Sequence, residues 1–586
     1  MSYPKIPLAQ TVVELCKLQN IRHIVISPGS RNAPLTIGFT FDEFFQCYSI
    51  VDERCAAFFA LGIAQQTKTP VVLVCTSGSA MLNYYPAIAE AFYSRIPLVV
   101  LSADRPKHLL EIGDGQTIMQ SDVYGKHVLF SSNLKLDVKD ENYLPEEESI
   151  PLLKNLEQRV ERFLGIQKDI QEYNEFELQR AISIASQKMG PVHVNIPFDD
   201  PLYELVPELT VKLKLLNIEP KLHKLDDFQV KNYAERWLNS ERKMVLVGVS
   251  DADAIDQDYL NDLAQEDSVV VFTETTSNLH HPQFFPGIDK LISPLSEAEL
   301  EQLQPDLLIT FGGLIVSKRI KSFLRKYKPK EHWHIDPHRA YDTFFCLTAH
   351  IPFTPNEFFK SFMPKLTHHK KSDYKNYFLQ LRQIRRSKHA EYVQIIPFSD
   401  FKAYDKVLNA IPSKAILQVG NSAAVRYTQL FQISKTIDVY CNRGTSGIDG
   451  STSTAVGCAV VNKRQTVFLT GDLSFFYDSN GLWNNYIPKN FRIIVINNQG
   501  GGIFRILPGH KNTENFDTFF ETKHHLNAKP ICDLFGFSYH AANDEKSLDK
   551  ALVSFFKSAS KPKLLEVFTP RLSNDDILLD YFKFIK

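Results

Sequence analysis

Two short segments combine residue types and spacing suited to binding a metal and an anionic group. Gly471-Asp472-Leu473-Ser474 and Asn497-Asn498-Gln499-Gly500 each follow an apolar run, Val467–Thr470 and Ile493–Ile496. Asp472 and Asn498 stand 26 positions apart, and Tyr477–Tyr486 between them reads as a helix. The pattern predicts a strand–helix–strand unit with an acid and an amide at the carboxyl ends of two strands, where open α/β sheets bind ligands. Mg²⁺ takes hard oxygen ligands and keeps phosphate oxygens and water in its shell, and Mn²⁺ accepts similar donors. The Asp472 carboxylate, the Asn498 amide oxygen and the Gly500 carbonyl supply half an octahedron and leave the rest for a diphosphate. Gly500, Gly501 and Gly502 let the backbone approach such a group closely. Gly-Asp and Asn-Asn dipeptides also make ordinary turns; their pairing at two strand ends is what points to a metal.

A second set of residues is basic. Ser30 and Arg31 lie in Ser27-Pro28-Gly29-Ser30-Arg31-Asn32 after a first apolar run, and Arg105 follows Ala103-Asp104 after a third. Lys318-Arg319 comes after Gly312-Gly313, Arg426 after Val419-Gly420-Asn421-Ser422, and Arg443 sits in Asn442-Arg443-Gly444. One such cation is ordinarily a surface charge. Five basic sites at expected strand ends describe a pocket for a polyanion, because arginine binds carboxylates through paired hydrogen bonds. Val51-Asp52-Glu53-Arg54 opens a helix-like stretch, where acids are favoured by the helix dipole.

The elements needed to position these residues recur along the chain. His23–Ser27, Val71–Cys75 and Leu98–Ser102 read as buried parallel strands, with an Ala-rich helix over Asp52–Gln65. The run VHVNIP, followed by Pro-rich sequence, ends the first block. Met244–Val249, Val269–Thr273 and Leu307–Phe311 form the second; Ile416–Val419, Val467–Thr470, Arg492–Ile496 and Leu564–Phe568 form the third. Residues 135–180 are charged and read as surface helices, and Thr367–Lys375 reads as a linker. The fold class is therefore α/β, with three successive open parallel-sheet domains over residues 1–200, 201–366 and 377–586.

Composition excludes several classes. At 586 residues, 44% hydrophobic and 23% charged, the chain is ordinary globular material long enough for three domains. A net charge of −1 argues against a general nucleic-acid partner. No apolar run is long enough for an integral membrane segment, and MSYPKIPLAQ lacks a signal-peptide core. Eight cysteines without CxxC spacing suit a reducing cytoplasm and no structural zinc. Three His-His pairs, at 280–281, 368–369 and 524–525, lie in polar segments and read as solvated loops. A dinucleotide or P-loop protein is disfavoured, since neither G-x-G-x-x-G after a first strand nor a P-loop lysine motif is present.

The order of Asp52-Glu53-Arg54 and Thr76-Ser77-Gly78-Ser79-Ala80 early, and Gly471-Asp472 with Asn497-Asn498 late, resembles thiamine-diphosphate decarboxylases and synthases. SPGSRNAPL (27–35), DERCAAFFALGIA (52–64), LSADRP (101–106), the Gln116 loop, VGNS with Arg426, CNRGTSGIDGSTSTA (441–455) and NNQGGGIF (497–504) narrow the likeness. In that order they resemble the menaquinone-pathway synthases of 2-succinyl-5-enolpyruvyl-6-hydroxy-3-cyclohexene-1-carboxylate. Three departures stand out: Leu473 where Gly is commonest, Gly115 where an amide is expected beside Gln116, and Gln499 in place of a third Asn.

The resemblance implies a transferase that decarboxylates 2-oxoglutarate on thiamine diphosphate and adds the succinic-semialdehyde carbanion to isochorismate. The alternative is another thiamine-diphosphate decarboxylase or carboligase, such as an acetolactate synthase; a non-catalytic paralogue is disfavoured by the presence of Glu53, Asp472 and Asn498. By residue match, Glu53 activates the cofactor, and Asp472, Asn498 and Gly500 hold the metal. Ser422, Ile448, Leu473, Ser474, Gly501, Ile503 and Phe504 complete the cofactor site, with Ile448 as an apolar wedge under the bent cofactor. Arg426 and Arg443 hold the oxoglutarate carboxylates. Ser30, Arg31, Arg105, Gln116, Lys318 and Arg319 face isochorismate, and Leu507 walls the pocket with Ile503 and Phe504. The family's cofactor lies between the first domain of one subunit and the third of another, which makes a homodimer the minimum active unit.

Overall fold

The computed structural model describes residues 2–137, 156–216, 225–506 and 513–586. Leu507, one of the expected pocket residues, and residues 138–155 of the charged segment lie outside the described residues.

Runs of β-branched and other apolar residues form three six-stranded parallel sheets. The first runs Gln46–Ser49, His23–Ile26, Val71–Cys75, Leu98–Asp104, Val192–Pro197, Ser131–Asn133 across its width. The third runs Asp438–Tyr440, Ile416–Val419, Thr466–Gly471, Arg492–Asn497, Lys563–Phe568, Ser538–Ala542. Numbered by sequence within its block, each has the order 2-1-3-4-6-5. The middle sheet has the order 3-2-1-4-5-6: Phe285–Pro286, Val269–Thr273, Lys243–Val247, Leu307–Phe311, Glu331–Ile335, Ala349–Ile351. Central strands such as Val71–Cys75, Val269–Thr273 and Leu307–Phe311 are buried along their whole length, as sheets covered on both faces require.

Two compact units emerge. One comprises Met1–Pro220 with Ser453–Val461 and Asn480–Ile487; the other comprises Lys221–Thr452, Asn462–Ser479 and Pro488–Lys586, and so contains both the middle and the third sheets. Within the second unit Asn278, beyond a middle-sheet strand, donates to the Val439 carbonyl and accepts from the Val439 amide, at 2.9 and 2.8 Å.

Three expectations are corrected. The helix between Asp472 and Asn498 is the short Asp472–Tyr477, followed by a 3₁₀ turn at Ser479–Leu482; the turn-forming run Asp478-Ser479-Asn480-Gly481 stops it. The charged segment 135–180 is not purely superficial, because Asn174, Leu178 and Gln179 of helix Leu156–Lys188 are buried, Leu178 in the core beside the first sheet. The linker around Thr367–Lys375 already enters helix Tyr374–Ile395, where Lys375 is buried and its Nζ donates to the Ala264 carbonyl at 2.8 Å. A long stem lets such a lysine lie along apolar surface while its ammonium finds an acceptor. Among the described residues, no helix is long and apolar enough to cross a membrane.

Candidate functional site

In the third sheet, strand Ile416–Val419 lies beside strand Thr466–Gly471, at the point where the strand order reverses. The loops leaving their carboxyl ends diverge there and open a crevice. One loop carries Gly420-Asn421-Ser422, with Ser422 at φ +66°; the other begins with Asp472. Asp472 is 3% exposed. Its Oδ1 accepts from the Leu473 amide at 2.7 Å and its Oδ2 from the Gly500 amide at 3.0 Å, which brings the two segments separated in sequence together. Gly500 has φ +152°, and a Cβ there would lie 2.7 Å from the Glu521 carbonyl oxygen, so the position needs glycine. Ser474 Oγ donates to the Ile448 carbonyl at 2.9 Å and ties the Gly447-Ile448 turn to the Asp472 helix.

Asn498 is held by a residue that sequence reasoning missed. Its Nδ2 donates at 2.9 Å to Oδ2 of Asp400, a fully buried acid that also accepts from Thr569 Oγ1 at 2.5 Å. The bond turns the amide nitrogen toward Asp400 and leaves the amide oxygen for another partner. Burial raises the Asp400 carboxyl to about 6, opposed by its hydrogen bonds from Thr569 and Asn498. The Gly500 carbonyl accepts from the Gly502 amide at 3.0 Å and retains a second lone pair. The donor set is thus one carboxylate, one amide oxygen and one carbonyl, which suits a hard divalent cation that completes its shell with phosphate and water.

His524 overturns the reading of the 524–525 pair as a solvated loop, whereas His368 and His369 are exposed as expected. Its side chain is 11% exposed and its Nε2 lies 3.2 Å from Asp472 Oδ2, while its amide donates to the Gln499 carbonyl at 3.2 Å. The aromatic face of Phe476 packs edge-on against it at 5.5 Å. A polar flanking sequence concealed this burial.

The glycine-rich loop Gly500–Arg505, which carries Gly501, Ile503 and Phe504, is clamped from the other side by Glu521. Its carbonyl accepts from the Gly501 amide at 2.6 Å, and its fully buried carboxylate pairs with Arg505 and Arg571.

Arg426 and Arg443 are brought together in the same unit. Burial first, and then the like charge of Arg443, lower the Arg426 pKa, and both Nε atoms are buried without a partner. Arg443 Nη1 donates to Asn421 Oδ1 at 2.8 Å; Asn421 Nδ2 donates to the carbonyls of Asn442 and Gly447, both at 2.7 Å. One asparagine therefore fixes both the arginine and the loop that carries it. Two mutually repelling guanidinium groups with unpartnered buried Nε atoms make a site for an anion. Lys318 and Arg319 lie exposed in the first turn of helix Lys318–Lys326.

In the first unit, Asp52 caps helix Glu53–Thr67 by accepting from the Cys55 amide at 3.2 Å, so capping does not occupy Glu53. Glu53 Oε2 accepts from Asn83 Nδ2 at 3.3 Å. The helix lies against Ser453–Val461 in backbone contact: a Cβ on Gly62 would lie 2.1 Å from the Thr454 carbonyl oxygen, and one on Gly457 2.0 Å from that of Phe59. Arg31, 7% exposed, donates to the Phe198 carbonyl at 3.1 Å, and Ser30 lies exposed beside it. Arg105 donates to the Gly115 carbonyl and pairs with Asp114 at 3.2 Å, which places it next to Gln116. Gln116 has φ +56° and packs its backbone over Gly78.

Comparisons with known proteins bear on what such a site serves. The family described as "Thiamine pyrophosphate enzyme, N-terminal TPP binding domain" matches residues 6–126, and "Middle domain of thiamine pyrophosphate" matches residues 219–344. A 2-succinyl-5-enolpyruvyl-6-hydroxy-3-cyclohexene-1-carboxylate synthase of Flavobacterium psychrophilum is 52% identical over 583 residues, covering 100% of both chains. The chain belongs to this synthase family. A Porphyromonas gingivalis synthase of the same name is 36% identical over 98% of this chain and 96% of its own. The crystal structure of benzoylformate decarboxylase from Polynucleobacter necessarius aligns with TM-score 0.69 over 97% of this chain and 99% of that one, at 15% identity, and shares the fold. As a member of the 2-succinyl-5-enolpyruvyl-6-hydroxy-3-cyclohexene-1-carboxylate synthase family, the chain is a thiamine-diphosphate-dependent transferase. In this synthase fold, Asp400, Glu521 and His524 hold the motif residues from distant positions, and no spacing rule links them to the motifs; Asn421 lies within the VGNS motif itself.

Proposed function

We propose that this chain decarboxylates 2-oxoglutarate and joins the remaining four-carbon unit to isochorismate, giving 2-succinyl-5-enolpyruvyl-6-hydroxy-3-cyclohexene-1-carboxylate in menaquinone biosynthesis. The observation that carries the reading is the Arg426–Arg443 pair, whose buried Nε atoms lack partners. A dicarboxylate offers such a pair a second anionic end that pyruvate does not. This favours 2-oxoglutarate over the substrates of an acetolactate synthase.

Thiamine diphosphate, when bound, supplies the carbon nucleophile and the electron sink of the reaction. Asp472, Asn498 Oδ1 and the Gly500 carbonyl fit Mg²⁺, or Mn²⁺ in its place, on the diphosphate; Ser422, Leu473, Ser474 and Gly501 line that end. Ile448, Ile503 and Phe504 form the apolar wall that excludes water. Glu53 holds a proton at its carboxylate for the aminopyrimidine, with Asn83 orienting that carboxylate. Arg426 and Arg443 bind the oxoglutarate carboxylates; Ser30, Arg31, Arg105, Gln116, Lys318 and Arg319 bind isochorismate. We further assign a homodimer as the minimum active unit, on the family resemblance, and a cytoplasmic location, to which the eight free cysteines are suited.

The test is CO₂ release from 2-oxoglutarate with thiamine diphosphate and Mg²⁺, with and without isochorismate. Release that depends on isochorismate, with loss of its absorbance, supports the reading. Release from 2-oxoglutarate alone, or only from pyruvate, would move the chain to a neighbouring decarboxylase or ligase.

A further inference from the structure

Helix Lys318–Lys326 begins against its own electrostatics. Lys318, Arg319 and Lys321 occupy the first turn, at the positive end of the helix dipole, where acids rather than cations are favoured. Two acids from elsewhere in the same unit offset this. Glu274, beyond strand Val269–Thr273, is 3% exposed; its Oε1 and Oε2 accept from the Val316 amide at 3.0 and 2.8 Å, and Oε1 also accepts from the Ser317 amide at 2.7 Å. Ser317 is the N-cap: its Oγ accepts from the Ile320 amide at 3.1 Å and donates to Asp289 of the neighbouring helix Ile288–Ile292.

Glu274 and Asp289 also interact with the expected substrate cations. Arg443 acts on Glu274, and Arg319 and Arg426 act on Asp289. Burial raises the Glu274 carboxyl to about 7, against the pull of the Val316 and Ser317 amides. An acid buried without a direct ion pair is unfavourable unless amide donors and nearby cations compensate it, and here both converge on the start of one helix.

We propose that Glu274 is a positioning residue that holds Lys318 and Arg319, through the amides of Val316 and Ser317, for the ring substrate. The inference rests on the assignment of Lys318 and Arg319 to isochorismate. It makes the end of a middle-sheet strand a determinant of second-substrate recognition, separate from the cofactor site. Neutralising Glu274 leaves one oxygen for three amide contacts and sets an NH₂ group against the Val316 N–H, so the first turn loosens; Arg443 loses one nearby charge but keeps its bond to Asn421, and Arg426 keeps Asp289.

The test uses full-length Glu274→Gln with thiamine diphosphate and Mg²⁺. The KM for isochorismate should rise about tenfold or more, with the KM for 2-oxoglutarate and the cofactor affinity within about twofold of wild type. Hydrogen exchange at the amides of Val316–Ile320 should accelerate at the same time. An unchanged isochorismate KM with faster exchange would reduce Glu274 to a structural cap. A parallel loss in both KM values and in cofactor affinity would mean a general disturbance and would also overturn the proposal. Should Glu274→Gln not fold, Ser317→Ala carries the same expectation. If the wild-type chain does not use isochorismate, the proposed function fails; unchanged exchange in the variant then separately refutes the positioning role.

Discussion

Asp400 offers the sharpest test of the proposed metal site, because it touches Asn498 and lies behind the crevice. Its carboxylate holds the Asn498 amide at 2.9 Å and Thr569 Oγ1 at 2.5 Å in a fully buried setting. Asp400→Asn keeps the shape and can still accept from Asn498 while donating to Thr569, so a charge-assisted bond becomes a neutral one. The difference between such bonds is about 1–1.5 kcal/mol, or about 5–12-fold in Mg²⁺-dependent affinity for thiamine diphosphate. Asp400→Ala leaves the Asn498 nitrogen unpaired in a dry site, at about 2–3 kcal/mol, and the amide is free to turn its oxygen away from the metal. The expected loss is about 30–150-fold, recovered in part by raising Mg²⁺. Thiamine diphosphate binding measured by calorimetry across a Mg²⁺ series reads both variants, with thermal melting as a check on folding. Thr569→Val, which removes a different hydrogen bond to the same carboxylate, should lower the melting temperature and leave the Mg²⁺ dependence near wild type. An Asp400→Ala chain that binds cofactor within twofold of wild type at every Mg²⁺ concentration would refute the role of Asp400, and with it the assignment of Asn498 as a ligand oriented in this way.

Other expectations are accessible to the same assays. Glu53→Gln should bind cofactor near normally yet lose at least a hundredfold in turnover; near-normal rates would remove Glu53 from the chemistry. Arg443→Ala and Arg426→Ala should each raise the KM for 2-oxoglutarate more than that for isochorismate, by about 10–100-fold for loss of a charged hydrogen bond, and the reverse order would mean the substrate halves are exchanged. The isochorismate KM of the wild type should rise as pH falls through about 7. The folded-state Glu274 carboxyl is raised to that value, so its ionised, amide-holding form prevails above about 7 and is lost below it. Asp289, Lys321 and Arg443 are the charges that act on it, and the profile should be flat in Glu274→Gln.

The sequence by itself determined the buried central strands, the motifs and their order. Val71–Cys75, Val269–Thr273, Leu307–Phe311 and Ile416–Val419 have the bounds expected from their apolar runs, because strands covered on both faces must be apolar throughout. Asp472 and Asn498 were placed at strand ends for the same reason, and the structure brings their segments within hydrogen-bond distance through Gly500. Short edge strands such as Gln46–Ser49 and Ser131–Asn133 left no such mark, since they are partly exposed and carry polar residues.

Only tertiary structure decided what supports the motif residues. Asp400 lies 98 positions from Asn498, and Glu274 lies 42 from Val316. In each case the partner is a lone acid whose neighbours in sequence say nothing about the amide it meets. His524 looked solvated because its flanks are polar, yet chain folding sets its ring against Phe476 and Asp472. Hydrophobic periodicity reports which face of an element is buried; it does not report which buried acid meets which distant amide. That choice is made by how loops from separate strands converge at a sheet edge.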